Sequence, residues 1–308
     1  MQRPFAGELS CQGVYKTGVH KGMPCSRVAY YAQENGYFCG THSKAEQREK
    51  LEKNPHKAIE RATTLTKQIE SVQNAQKVNR GTGNVICSKM FMMKKFEPTL
   101  DYQTIFPNFK HKNRRDGKGY PSLSPMSLGS VQHNIDTLPP ALSLEGFWQG
   151  SKLYEEECHE KIPNRTFFPN STFYLNREMM FLANPPLRRK PNMTSKVVAF
   201  VWEDKNGCEE YLDYLTSRQV YCHLYERLVE KNRDLIALRW FIDVGYNLNI
   251  VGYDGYDFHS QEGDTLAQKL LNCYLDTTKP FGHELCLVSL LVLKPKEYPW
   301  RIYKILDF

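Results

Sequence analysis

Cys11, Cys25, Cys39 and His42 limit this chain most, through the spacing Cys-x13-Cys-x13-Cys-x2-His. The closing Cys39-Gly40-Thr41-His42 knuckle is the sharpest part of the pattern. A glycine after the first ligand lets the backbone turn, so the second ligand reaches the same ion. Three thiolates and one imidazole fill a tetrahedral zinc shell and leave no open position, which makes the expected zinc structural. The stretch 9–43 is too short to build much core, so a bound ion would supply most of its folding energy. The competing reading is three unrelated thiols and a surface histidine. Cys87, Cys158, Cys208, Cys222, Cys273 and Cys286 show no ligand spacing and read as core or surface thiols.

The rest of the chain has the makings of a true core. Of its 308 residues 41% are hydrophobic, enough for one large domain or two modest ones. No run of about 18 apolar residues occurs, so no transmembrane helix is expected. The segment from Met1 to Glu8 lacks the apolar run of a signal peptide. Reduced thiols and an intracellular setting, cytoplasm or nucleus, are therefore expected. The net charge of +7 is unevenly spread. Residues 1–130 hold 21 Lys and Arg against 10 Asp and Glu, while residues 131–308 hold 20 against 24. A basic N-terminal region suits an anionic partner such as nucleic acid, or serves only to solubilise.

Residues 44–79 lack glycine and place Leu51, Ala58, Ile59, Ala62, Leu65, Ile69 and Val72 at helical spacing, interrupted near Pro55. Residues 80–120 read as irregular, and Lys110-His111-Lys112-Asn113-Arg114-Arg115 is their sharpest basic cluster. Beyond Gly117, helices are expected over residues 143–155, from Phe173 to Phe181, from Thr216 to Val244 (two of them, stopped at Gly245) and from Glu284 to Leu293. Strands are expected over 196–202 and 248–251, with a turn at Asp204-Lys205-Asn206-Gly207. The expected organisation is a zinc module (1–43), a basic helical arm and linker (44–117) and a helix-rich α+β domain (118–308).

If 143–155 is helical, Glu145, Gln149 and Lys152 share one stripe, with Trp148 beside them. A carboxylate, an amide and an ammonium on one face suit the holding of a sugar or nucleotide. The competing reading, which spacing alone favours, is a solvated Glu/Lys pair. Arg188-Arg189-Lys190, after Pro185-Pro186, suits a pyrophosphate, and Arg218 is a further candidate to hold a substrate. Ser217 is a candidate helix cap, and Asp254 closes a strand where active-site carboxylates often sit. His283 and Glu284 read as an interior hydrogen-bonded pair.

Glu145-x3-Gln149-x2-Lys152, with Phe147 and Trp148 inside it, is similar to a signature helix of the NADAR superfamily, whose motif runs Glu-His-aromatic-aromatic-Gln-x-x-Lys. Gly146 stands where that family has His. The stretches from Arg218 through Leu238 and from Gly282 to Leu287 resemble later parts of the family in order, but its closing Gly-x-Asn-x-Leu-Gly pattern is not reproduced. While the Cys/His pattern of 1–43 resembles small modules of large double-stranded DNA virus proteins, the NADAR resemblance covers roughly residues 118–300. It implies a helix-rich fold with a pocket for ADP-ribose-like molecules and, in several members, hydrolysis of a ribose–nitrogen bond. Loss of a nitrogen base leaves positive charge on the ribose, so a nearby carboxylate stabilises the transition state. Under that reading Glu145 is the catalytic carboxylate, and Lys152 holds a phosphate or polarises the leaving group. Gln149 fixes a hydroxyl, Phe147 or Trp148 stacks on a base, and Asp254 joins the catalytic set. The alternative is a non-enzymatic zinc protein that binds nucleic acid or takes part in viral assembly.

Overall fold

The computed structural model describes residues 11–15, 21–27, 29, 31–33, 36–39, 41–42, 82–91, 96–114, 116–159, 168–192, 194–204, 206–304 and 306. The expected long helix of 44–79 lies outside these residues, as do Gly40 and Arg115. The chain divides into two compact units, Met1–Lys67 and Gln68–Phe308.

In the first unit, two backbone stretches run antiparallel through a Val14–Pro24 bridge. Cys11 N donates to Arg27 O and Cys25 N to Gly13 O, each at 2.8 Å. A short hairpin follows, β1 (Tyr31–Gln33) against β2 (Gly36–Phe38), with Tyr31 opposite Phe38. Its end delivers Cys39. The only buried cluster of apolar and thiol groups here among the described residues is Cys11, Cys25 and Cys39, flanked by Tyr15 and Phe38.

The second unit is α+β, as the sequence suggests. Its first sheet is parallel, in the order β3 (Val85–Lys89), β9 (Leu248–Gly252), β4 (Gln103–Phe106), β5 (Lys118–Gly119). Leu248, Ile250 and Val251 are fully buried, as a central parallel strand requires. β3 and β4 correct the expectation of an irregular 80–120. Each is short, and their central partner β9 arrives more than a hundred residues later, so neither announces itself locally. The second sheet is antiparallel, in the order β6 (Lys152–Tyr154), β7 (Val197–Glu203), β8 (Glu209–Leu212). β7 and its turn fall where expected, with Gly207 at φ 76 and its N–H on Asp204 O at 3.0 Å.

Seven helices complete the described part of this unit: α1 (Leu144–Gly150), α2 (Ser171–Leu182), α3 (Tyr214–Val229), α4 (Arg233–Asp243), α5 (Leu266–Leu275), α6 (His283–Val292) and α7 (Pro299–Ile302). The side chains of Asn170, Asp213, Asn232 and Thr265 cap α2 to α5. Asp213 holds the N-cap of α3, and Ser217 instead bonds back to Tyr214 O at 2.8 Å. α4 ends at Gly245 with φ 95, the conformation expected of a glycine stop. α6 is buried from His283 through Leu290 and packs against β3, β9 and α3.

Candidate functional site

α1 is shorter than the sequence suggests. Ser143 caps it, its hydroxyl accepting from Gly146 N at 3.0 Å. It ends at Gly150, and Lys152 opens β6. The break falls where Lys152 pairs with Phe200 of β7, and two glycines set how closely α1 packs. A Cβ on Gly146 would fall 2.6 Å from Met180 O, and one on Gly150 would fall 2.7 Å from the Phe181 ring. These glycines, one turn apart, let α1 lie directly on α2. A histidine at 146 has no room there. Ser151 then turns back to bond Phe147 O at 2.9 Å, and the chain leaves as strand.

The polar stripe survives the break. Gln149 Nε2 donates to Glu145 Oε1 at 2.9 Å, and Lys152 Nζ donates to Gln149 Oε1 at 3.0 Å. The three side chains form a chain of charge-assisted bonds along one wall of a cavity of about 690 Å³. Trp148 continues the wall, stacked on Phe200 at 4.5 Å and tilted against Tyr221 at 5.0 Å. Lys152 Nζ sits 5.8 Å from the Trp148 ring centre. Burial pulls the Lys152 ammonium down to about 8, with Arg188 and Arg189 pushing the same way and the carboxylates of Glu145 and Asp254 opposing.

The cavity opens where the parallel sheet directs it. β4 and β9 run the same way, so the residues after them emerge at one edge, the usual place for ligands in such sheets. Asn108 follows β4, and Tyr253 and Asp254 follow β9; all three line the cavity, as do His283 and Glu284 at the start of α6. Glu284 is 1% exposed. Its Oε1 accepts from Asn108 Nδ2 at 3.4 Å, and its Oε2 lies 3.3 Å from His283 Nδ1. Asp254 is exposed to the cavity but crowded by protein. Burial raises its pKa, and the neighbouring Glu284 charge raises it further.

Other candidates take structural places. Phe147 is buried beside Phe181, His133 and Trp202 and is not among the cavity-lining residues. Arg189 borders the cavity, yet its guanidinium is committed to the Glu157 carboxylate and to Lys152 O. Arg218 also borders it. Its guanidinium gathers the carbonyls of Tyr274, Asp276 and Lys279 at the end of α5, and it lies 4.8 Å from the Tyr214 ring. The exposed cations beside the cavity are Arg188 and Lys190, the outer members of the Arg188-Arg189-Lys190 cluster. Of the basic run, Arg114 is held by Asp116 and lies over the Phe106 ring at 4.2 Å, and His111 is buried.

The four residues of the Cys/His pattern do converge. Their ligand atoms all lie within 4.8 Å of one another, and three of the four are buried. Cys11 Sγ is 3.2 Å from His42 Nδ1, Cys39 Sγ is 3.5 Å from the same nitrogen, and Cys25 and Cys39 sulfurs are 3.9 Å apart. Metal–sulfur bonds of about 2.3 Å in a tetrahedron call for separations of this size. Cys39 N donates to Cys11 Sγ at 3.2 Å and Gly13 N at 3.4 Å, contacts that favour a thiolate. Gly13 packs against the His42 ring with no space for a side chain. Among the described residues this is the only group able to hold a metal ion. No helix among them is long and apolar enough to cross a membrane.

Comparison of the chain with protein families, with curated proteins and with solved structures finds no match.

Proposed function

We propose that the second unit is an N-glycosidase that hydrolyses a ribose–nitrogen bond in an ADP-ribosylated or nucleotide-like substrate. The observation that carries this reading is the Glu145–Gln149–Lys152 chain on the wall of the aromatic-lined cavity. Departure of a base leaves an oxocarbenium-like ribose, and the Glu145 carboxylate stabilises that charge. Gln149, oriented by both neighbours, presents its remaining amide hydrogen to a ribose hydroxyl. Lys152, with Arg188 and Lys190 at the cavity border, attracts phosphate. Trp148 and Tyr221 supply faces on which a base stacks. The Cys11, Cys25, Cys39 and His42 group holds structural zinc, which would fasten the first unit and take no part in chemistry. The basic N-terminal region recruits nucleic acid.

Thermal shift of the full chain with ADP-ribose and with NAD tests this. Ligand at about 100 times Kd stabilises by roughly 2.7 kcal/mol. Glu145→Gln should keep that shift and lose most base release, measured by chromatography of ADP-ribosylated nucleosides. A well-folded protein that responds to neither ligand refutes the reading and favours a non-enzymatic zinc protein that binds nucleic acid or assembles with partners.

A further inference from the structure

The same cavity holds an arrangement that Glu145 and Lys152 do not explain. A Cβ built on Gly282 would fall 2.6 Å from Asp254 Cβ, 2.7 Å from Glu284 Oε2 and 3.5 Å from Asp254 Oδ2. An oxygen of each carboxyl group therefore lies within 4 Å of one point beside Gly282. Their surroundings differ. Glu284 is almost fully buried, stands in the first turn of α6, and has the Asn108 amide and His283 beside it. The helix N-terminus favours a negative charge there. Glu284 Oε2 and His283 Nε2 are buried without hydrogen-bond partners, and both residues line the cavity. Asp254 has no such support, since among the described residues none donates it a hydrogen bond. Lys89, Arg188 and His283 face it with favourable charge, and Glu284 with unfavourable charge. Burial, and after it the charge of Glu284, disfavours ionisation of Asp254, which among the described residues has no hydrogen bond to offset them.

We infer that Asp254 and Glu284 are a coupled carboxyl pair in which Asp254 carries the proton and delivers it to the departing base. This rests on the N-glycosidase reading for its chemistry. The ribose C1′–N bond breaks and its electron pair goes to the nitrogen, which takes the Asp254 proton. The Glu145 carboxylate holds the ribose cation until water adds to C1′, and the water's proton returns to Asp254. Glu284 never touches the reacting atoms; it is a positioning residue that acts through Asp254.

Titration of carboxyl-labelled aspartate by carbon-13 NMR, on the full chain, reads the pair without any turnover. Asp254 should titrate above the ordinary aspartate range, and Glu284→Gln should lower its midpoint. An Asp254 that titrates normally, or that ignores E284Q, overturns the inference. If E284Q fails to fold, Asp254→Asn serves, since that position is exposed to the cavity. It should keep the ADP-ribose thermal shift and lose base release at least tenfold. Base release that D254N leaves intact also overturns the inference. In turnover, the protonated acid is the active form, so the rate falls as pH rises through the Asp254 midpoint, and E284Q moves that fall to lower pH. A chain that binds neither ADP-ribose nor NAD, with Asp254 titrating high, refutes the N-glycosidase reading while the carboxyl pair stands.

Discussion

A lysine set into a cavity wall carries a cost, and at Lys152 its sign can be worked out. Its ammonium titrates near 8 in the folded chain against an ordinary value of 10.5. Between those pH values the unfolded chain binds more protons, so stability rises with pH across that window and is lowest below it. Lys152→Met should therefore stabilise the protein at pH 7 by roughly 2 kcal/mol after allowance for part exposure, and the gain should fade by about pH 10.5. Denaturant unfolding at the two pH values checks this, and a variant no more stable at pH 7 refutes it. The same substitution should weaken ADP-ribose binding, because the charge that destabilises the wall is the one that draws phosphate. Glu145, Gln149 and Lys152 were legible because their spacing survives a change of element. Glu284 was not. In sequence it is the first carboxylate of an apolar helix, and only the approach of Asn108 and Asp254 from two strand ends turns it toward the cavity.

A buried ion pair helps to fix α2 to the antiparallel sheet, beside the packing of Phe173 on Leu153, Ala199 and Val201. Arg177 donates to both oxygens of Glu203 at 2.6 and 2.8 Å, and Glu209 stands 3.5 Å away. Burial outweighs the guanidinium and pushes the Glu203 carboxyl above its usual range. A pair of this kind stabilises little against an apolar substitute, yet losing one partner leaves a buried charge alone. Arg177→Leu should cost about 3–5 kcal/mol, and Arg177→Leu with Glu203→Leu should recover most of it. Thermal unfolding of the single and double variants decides, and a double variant as weak as the single one contradicts the argument. The elements with strong local signals, β7, α3, α4, β9 and α6, were readable from sequence. α5 was missed although its apolar face is regular, because the Gly- and Asp-rich stretch before it drew no helix start. Residues 143–155 were read as one helix because helical spacing continues to Lys152, while the pairing of Lys152 with Phe200 that takes the chain into β6 is a tertiary effect.

Across the whole molecule, each unit should answer to its own stabiliser. The first unit has little apolar core among its described residues beyond its three cysteines, whereas the second has a continuous one. Native mass spectrometry should find one zinc ion per chain, and Cys39→Ser should lose it. Chelation should abolish the hydrogen-exchange protection of 11–42 while the transition of the second unit stays in place; a chain without bound zinc refutes the prediction. The Cys/His spacing was readable because four ligands must meet at one point. The parallel sheet was not, because its middle strand is the last to be made. β9 at Leu248–Gly252 inserts between β3 and β4, whose ends lie near residues 89 and 106. During synthesis those two strands must wait, edges open, for more than a hundred residues to leave the ribosome. At about 5–20 residues per second that is many seconds of exposure. A stalled or prematurely ended chain would hold two sticky half-sheets and no cavity, which makes the nascent protein a natural client for chaperones and its truncated forms prone to aggregate.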